Sequence, residues 1–291
     1  MTVRAALSRV TQHEDINFLL TNRIPRRWLT LFIGWLSKLE NPLIAKPAIA
    51  LWRLFCDVDL RDARDTHYRS LHECFTRALK DGARPIATDP QVLVSPSDGI
   101  VGAFGKVVAG ECLQAKGFPY TLMDLLGDRE LVRQYQTGSY VTLRLTAGMY
   151  HRFHAPADCQ VEKVTYISGD TWNVNPIAVS RIEELFVKNE RAVIRLRLKD
   201  TGHVITLVPV AAILVASIRL HFANVLLHLR YKGPNEIPCN AELARGEEMG
   251  WFQHGSTIIA FVPEGVRLAE GLESGATLRM GQPLFKLQTT R

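Results

Sequence analysis

Cys-x-x-Cys pairs are absent: the five cysteines stand at positions 56, 74, 112, 159 and 239, and their number is odd. That argues against a disulfide framework and fits a reducing compartment. The opening residues, Met1 to Asn17, are mixed polar and lack the apolar core of a signal peptide. Long hydrophobic runs are missing as well. Trp28 to Ser37 is uncharged over ten residues and Val204 to Ile218 over fifteen, both short of the roughly 20 needed to cross a bilayer. The second run holds Pro209 and many β-branched residues, and so reads as two buried strands. Excess charge is scarce outside one end. Residues 1–80 carry 13 Lys and Arg against 8 Asp and Glu, the remaining 211 carry 22 against 21, and the net charge of +6 is therefore almost wholly N-terminal.

What is present at that end is amphipathic. Trp28, Phe32, Trp35/Leu36 and Leu39 recur at three- and four-residue spacing, which predicts a helix with one apolar face, flanked at its start by Arg26 and Arg27. Asn41-Pro42 reads as a cap and a first-turn proline opening a second helix, with Ala48, Leu51, Trp52 and Phe55 on its apolar face. Ser70-Leu71-His72-Glu73 has the form of a capping box and predicts a third helix through about Leu79. Cations interleaved with tryptophan and leucine point to an anionic membrane surface rather than to nucleic acid. Packing of these faces on the protein's own core is the alternative.

Lys80 to Pro90 is rich in Gly, Pro and Asp and reads as a connector, dividing a helical, membrane-surface region (1–80) from a β-rich catalytic core (81–291). Beyond it the period changes to two. Val141, Leu143 and Leu145 alternate with Thr142, Arg144 and Thr146, and Ile194, Leu196 and Leu198 alternate with Arg195, Arg197 and Lys199, the pattern of half-buried strands. Frequent glycines punctuate further short strands, so the expected fold is α+β, with a β-rich sandwich or barrel-like core behind an N-terminal amphipathic helical region. The closing Gly281 to Leu287 reads as a hairpin edge of biotinyl/lipoyl type, without a lysine at a tip.

Three segments carry chemistry: Ser95-Pro96-Ser97-Asp98-Gly99, Tyr150-His151-Arg152-Phe153-His154 and Gly255-Ser256-Thr257. A serine hydroxyl becomes a nucleophile when a base within hydrogen-bond reach, itself oriented by a third group, takes its proton. Ser256, His154 and Asp98 supply those types, and Gly255 leaves room for attack on the chain's own carbonyl. Nothing completes a zinc spacing around His151 and His154, so no metal is expected. Phe75-Thr76-Arg77, Gln114-Ala115-Lys116-Gly117, Gly169-Asp170 ahead of Asn173-Val174-Asn175-Pro176, Leu185-Phe186, and Asn189-Glu190-Arg191 fall in order between these segments. With them, from about Trp28 to about Leu287, the chain resembles the phosphatidylserine decarboxylase family of pyruvoyl enzymes.

The resemblance implies autocatalytic serinolysis at Gly255-Ser256, leaving a large chain (1–255) and a small chain (256–291) held as a heterodimer, with a homodimer of such pairs left open. Ser256 becomes a covalent pyruvoyl group, a pyruvate-type cofactor that condenses with the substrate's amine. In the resemblance Asp98 and His154 serve self-cleavage and His151 serves decarboxylation of phosphatidylserine. The enzyme would sit peripherally on the cytoplasmic side of the cell membrane. One departure is His254, where bacterial relatives typically have leucine, and it puts a sole base in doubt. Three other readings compete: a serine hydrolase, a non-catalytic lipid-binding β-domain, and a pyruvoyl decarboxylase of a soluble amino acid. The first lacks the Gly-x-Ser-x-Gly elbow around Ser256, and the amphipathic N-terminus disfavours the third.

Overall fold

The computed structural model describes residues 14–22, 25–115, 118–213, 217–253 and 256–288. Helices come first: α1 (Glu14–Asn22), α2 (Arg26–Leu36), α3 (Pro42–Phe55) and α4 (Leu71–Phe75). The chain continues through β1 (Val92–Val94), β2 (Gly99–Lys106), β3 (Glu111–Ala115), β4 (Phe118–Thr121), α5 (Leu122–Leu126), α6 (Arg129–Tyr135), β5 (Ser139–Leu145), β6 (Arg152–His154), β7 (Cys159–Ile167), α7 (Pro176–Val179) and α8 (Leu185–Lys188). Strands complete it: β8 (Arg191–Leu198), β9 (Val204–Ala211), β10 (Ser217–Leu220), β11 (Val225–His228), β12 (Glu236–Leu243), β13 (Glu248–Phe252), β14 (Ser256–Val262), β15 (Val266–Leu268), β16 (Thr277–Leu278) and β17 (Pro283–Leu287).

Eight strands form one antiparallel sheet in the order β12-β7-β8-β9-β14-β5-β2-β16. Its outer strands do not meet, so the β-rich α+β expectation holds while the barrel-like variant gives way to an open sheet. One face packs against two smaller sheets, β11-β10-β13-β6 and β1-β17-β15. Leu143, Ile194, Ile258 and Ala260 of the large sheet meet Phe153, Ile218, Phe252 and Phe285 there. The other face is covered by helices, where Ile259 and Phe261 meet Leu122, Leu131, Leu185 and Phe186. Each such large apolar side chain, once buried, contributes roughly 1.5–3 kcal/mol. β17 is the middle strand of its sheet, not the hairpin edge expected from its sequence. The run from Val204 does give two strands, β9 and β10.

The N-terminal helices form where the caps are. Asn41 accepts from the Leu43 amide at 2.9 Å with Pro42 in the first turn, and Ser70 accepts from Glu73 at 3.1 Å. α4 stops at Phe75, short of the expected Leu79. Thr76 turns its hydroxyl back to the His72 carbonyl at 2.9 Å, and Ala78 and Leu79 pair instead with residues 63 and 64. On α2 the expected apolar face exists and points outward: Trp28 is 75% exposed and Trp35 58%. Among the described residues, no helix is long and apolar enough to cross a membrane.

Candidate active site

Ser256 opens β14 near the centre of the large sheet, paired with Leu145 of β5 and Ala211 of β9. Gly255 and His254 lie outside the described residues. The serine is fully buried, and its hydroxyl bonds no described protein group. Side chains alternate along a strand. Ser256 therefore points with Ile258, Ala260 and Val262 toward the small sheets, and Thr257 points with Ile259 and Phe261 toward the helices.

Asp98 sits in the turn between β1 and β2, 6% exposed. Arg84 grips it in a fork, Nε to Oδ1 at 2.9 Å and Nη2 to Oδ2 at 2.6 Å, and the Met280 amide donates to Oδ1 at 2.9 Å. The backbone brings this turn to β6: the His154 amide donates to the Pro96 carbonyl at 2.8 Å. Both nitrogens of His154 are engaged. Its Nδ1 faces the Gly246 carbonyl at 2.9 Å, which can only accept, so Nδ1 carries the proton and Nε2 accepts from the Tyr150 hydroxyl at 2.9 Å. Burial lowers the pKa of this imidazole, against the raising pull of the Gly246 bond and the charge of Glu248. Burial also pushes the Tyr150 phenol up, keeping it a donor. The three residues expected to act together are thus gathered unevenly. Asp98 and His154 share a neighbourhood, but a direct hydrogen-bonded Asp98–His154–Ser256 relay is not formed; Arg84 and Tyr150 occupy those bonds.

His151 lies on the loop before β6, fully buried. Its Nδ1 donates to the Met149 carbonyl at 2.8 Å, and its ring lies 4.1 Å from that of Phe75. Three contacts fix the loop. Arg77 donates to the Gly148 and Met149 carbonyls at 2.9 and 3.2 Å, the His151 carbonyl accepts from Phe252 of β13, and Gly148 presses against the Asp57 backbone so closely that a Cβ would come within 2.3 Å of its oxygen. Phe75 in turn meets Trp52 of α3 at 5.5 Å, so the helical region reaches the histidine.

The remaining motif residues hold the frame. Gln114 donates to the Val179 and Ile182 carbonyls and accepts from Phe186, closing the helical layer. Asn175 caps α7. Gly169 lies against the backbone of residues 188–190, where a Cβ would meet the Lys188 oxygen at 2.6 Å. Asn189, unassigned from the sequence, donates at 2.9 Å to both the Trp172 and Ala211 carbonyls, the latter on the strand partner of Ser256. Glu190 is fully buried and accepts from Tyr166 at 2.7 Å; burial raises its pKa to about 7, opposed by that bond. Arg191 satisfies the carbonyls at the end of α5, Leu125 at 2.8 Å and Asp124 at 2.6 Å.

Sequence reasoning passed over Arg84 and Arg144. Arg84 stands in a Gly/Pro connector, where an arginine carries no local signal. Arg144 stood in the sequence only as a polar residue of a half-buried strand. It lines a cavity of about 380 Å³ between the sheet and the helical layer, with Thr142, Thr257, Val174 and Phe186.

Residues 71–286 match the family model described as phosphatidylserine decarboxylase. Proteins named phosphatidylserine decarboxylase proenzyme from Escherichia coli O9:H4 (strain HS) and from Citrobacter koseri are each 36% identical to this chain over 273 residues, covering 90% of it and 84% of their own length. The chain belongs to the phosphatidylserine decarboxylase family.

Proposed function

We infer that this chain decarboxylates phosphatidylserine to phosphatidylethanolamine after cutting itself between Gly255 and Ser256. One observation carries the reading beyond family membership. Ser256 holds a fully buried hydroxyl with no described hydrogen-bond partner at the first position of a central strand, an arrangement that costs about 1–3 kcal/mol where alanine would cost nothing. The hydroxyl adds to the carbonyl carbon of Gly255, the amide nitrogen leaves with a proton, and an ester replaces the peptide bond. Loss of the serine α-proton then expels the Gly255 carboxylate, and water releases the nitrogen as ammonia, leaving a pyruvoyl group at position 256. His154 receives protons at Nε2 through or in place of the Tyr150 hydroxyl. Asp98, held by Arg84, adds negative charge that favours the imidazolium.

When present, the pyruvoyl group supplies an electrophilic carbonyl that draws off the electron pair left by departing carbon dioxide. His151 has Nδ1 committed to Met149, so Nε2 is the atom that brings a proton to the substrate carbon. Phe75 and the Arg77-braced loop keep that nitrogen in place. α2 and α3 carry Trp28, Phe32, Trp35, Leu43, Leu51 and Phe55, all more than half exposed. Together with the N-terminal positive charge, they support peripheral docking on an anionic membrane. The five cysteines are free, which supports the cytoplasmic side.

Intact-mass measurement of the denatured protein tests the reading. Two chains split after Gly255, the smaller without a free N-terminal amine, are expected, together with carbon dioxide release from phosphatidylserine. An unbroken chain from active protein, or labelling of Ser256 by a serine-reactive phosphonate, overturns it in favour of a hydrolase.

A further inference from the structure

The arginines on the helix-covered side of the large sheet are not alike. Arg195 pairs with Glu130 and Glu162 at 2.9 and 2.7 Å, and Arg197 also pairs with Glu162. Arg144, on β5 of the same sheet, has no carboxylate or hydrogen-bond partner among the described residues. A guanidinium withdrawn from water without a counter-charge is costly, and burial lowers the pKa of Arg144 accordingly. Two residues that line the same cavity, Thr142, 3% exposed, and Thr257, fully buried, have buried Oγ1 atoms with no partner among the described residues, each needing only a turn about its own side-chain bond to meet a guest.

Strand geometry groups the three. Arg144 is directly opposite Thr257 on the neighbouring strand, a separation of about 5 Å between Cβ atoms, and Thr142 is two residues along the same face, about 7 Å away. An arginine fork with two hydroxyl donors in an otherwise apolar cleft matches an oxyanion of the phosphate type. The position matters as much as the chemistry. Thr257 is the residue bonded to the carbonyl of residue 256, and once the preceding bond is cut, residue 256 is the chain end, tied to the sheet only through Thr257 and its strand neighbours. In phosphatidylserine, one ester oxygen and one methylene separate the phosphorus from the amine-bearing carbon, so its phosphodiester reaches the next residue along the strand when the amine is at position 256. The substrate carboxylate is the wrong guest for Arg144, because a cation beside it stabilises the ground state that decarboxylation must leave.

We propose that Arg144, with Thr142 and Thr257, binds the phosphodiester of the phospholipid headgroup in the cavity between the sheet and the helical layer. This rests on the decarboxylase reading for its placement, but its test does not. Processed wild-type, Arg144→Met, Arg144→Lys and Thr142→Val proteins would be titrated with glycerophosphocholine, a phosphodiester with no primary amine, and followed by phosphorus NMR. Binding is expected in the wild type, weaker by tenfold or more in Arg144→Met, partly kept in Arg144→Lys and weakened a few-fold in Thr142→Val. Turnover gives the second arm. Arg144→Met should raise KM for glycerophosphoserine and phosphatidylserine tenfold or more while leaving self-cleavage intact. It should leave the slow reaction of O-methylserine, which lacks phosphate, unchanged. Equal losses on O-methylserine, or undiminished phosphodiester binding by Arg144→Met, overturn the assignment. Tight binding of inorganic phosphate that does not compete with glycerophosphoserine also overturns it and marks a free-phosphate site. If no protein releases carbon dioxide from any amine, the decarboxylase reading fails while the titration still decides on Arg144. Thr142→Val changes a hydroxyl for a methyl of the same shape, so it tests the site even if Arg144→Met folds poorly.

Discussion

The two sides of β14 are built to opposite rules. On the side of Ser256, the ionisable groups are locked to the protein: Asp98 to Arg84, His154 to Tyr150 and Gly246, His151 to Met149. On the side of Thr257, the buried hydroxyls of Thr142 and Thr257 have no partner among the described residues, and the unpaired Arg144 lines a cavity beside them. A reaction of the chain with itself needs no room for a guest, only groups already in place; binding of an outside molecule needs donors held ready and unspent. The contrast separates groups already fixed by the fold from groups left without a protein partner.

The sharpest way to break that contrast is to remove the two histidines singly. His154→Ala is expected to slow self-cleavage by about 10²–10⁴-fold, whereas His151→Ala should cleave normally and lose turnover by a similar factor. Chain separation on denaturing gels and carbon dioxide release read the two outcomes, and a His151→Ala protein that matures and turns over normally would erase the division. Next in size is Arg84→Met, which strands a carboxylate between side chains only 9% exposed. Loss of about 3–5 kcal/mol is expected, read by urea unfolding, with retarded cleavage.

Acidity gives a subtler test. His154 has a lowered pKa through burial, so it stays neutral, and able to accept a proton, below the ordinary histidine value of about 6.5. The self-cleavage rate should therefore hold as pH falls through 6.5 and decline only further down; a midpoint above 6.5 would contradict the locked, neutral imidazole. The same shift predicts that the stability His154 contributes is present above pH 6.5 and is lost as pH falls toward its folded value. Smallest in effect on the fold is the double substitution Trp28→Ala and Trp35→Ala. Both side chains are largely exposed, so unfolding should change by no more than about 0.5 kcal/mol per site while binding to anionic vesicles weakens. Undiminished vesicle binding would leave these tryptophans without a membrane role.

Much of this was legible in the sequence because it rests on local signals. The alternation of Leu143 and Leu145, the Asn41-Pro42 cap and the Ser70 box each specify an element through near neighbours. The ordered motifs named the family. Long-range bonds left no such trace. Arg84 reaches Asp98 across a connector, and Asn189 reaches Ala211 across a sheet. The cavity around Arg144 left no trace because alternation reports which residues share a face, not what covers it.

One further consequence belongs to the position of Ser256. The bond before it can be attacked only when β14 is seated between β5 and β9, β6 has brought its histidine alongside the Pro96 turn, and Arg77 has braced the neighbouring loop. These contacts span segments far apart in the chain and exist together only in the finished fold. On the self-cleavage reading, maturation works as an inspection at the end of assembly: a chain that misfolds never receives its cofactor, and so never becomes an enzyme.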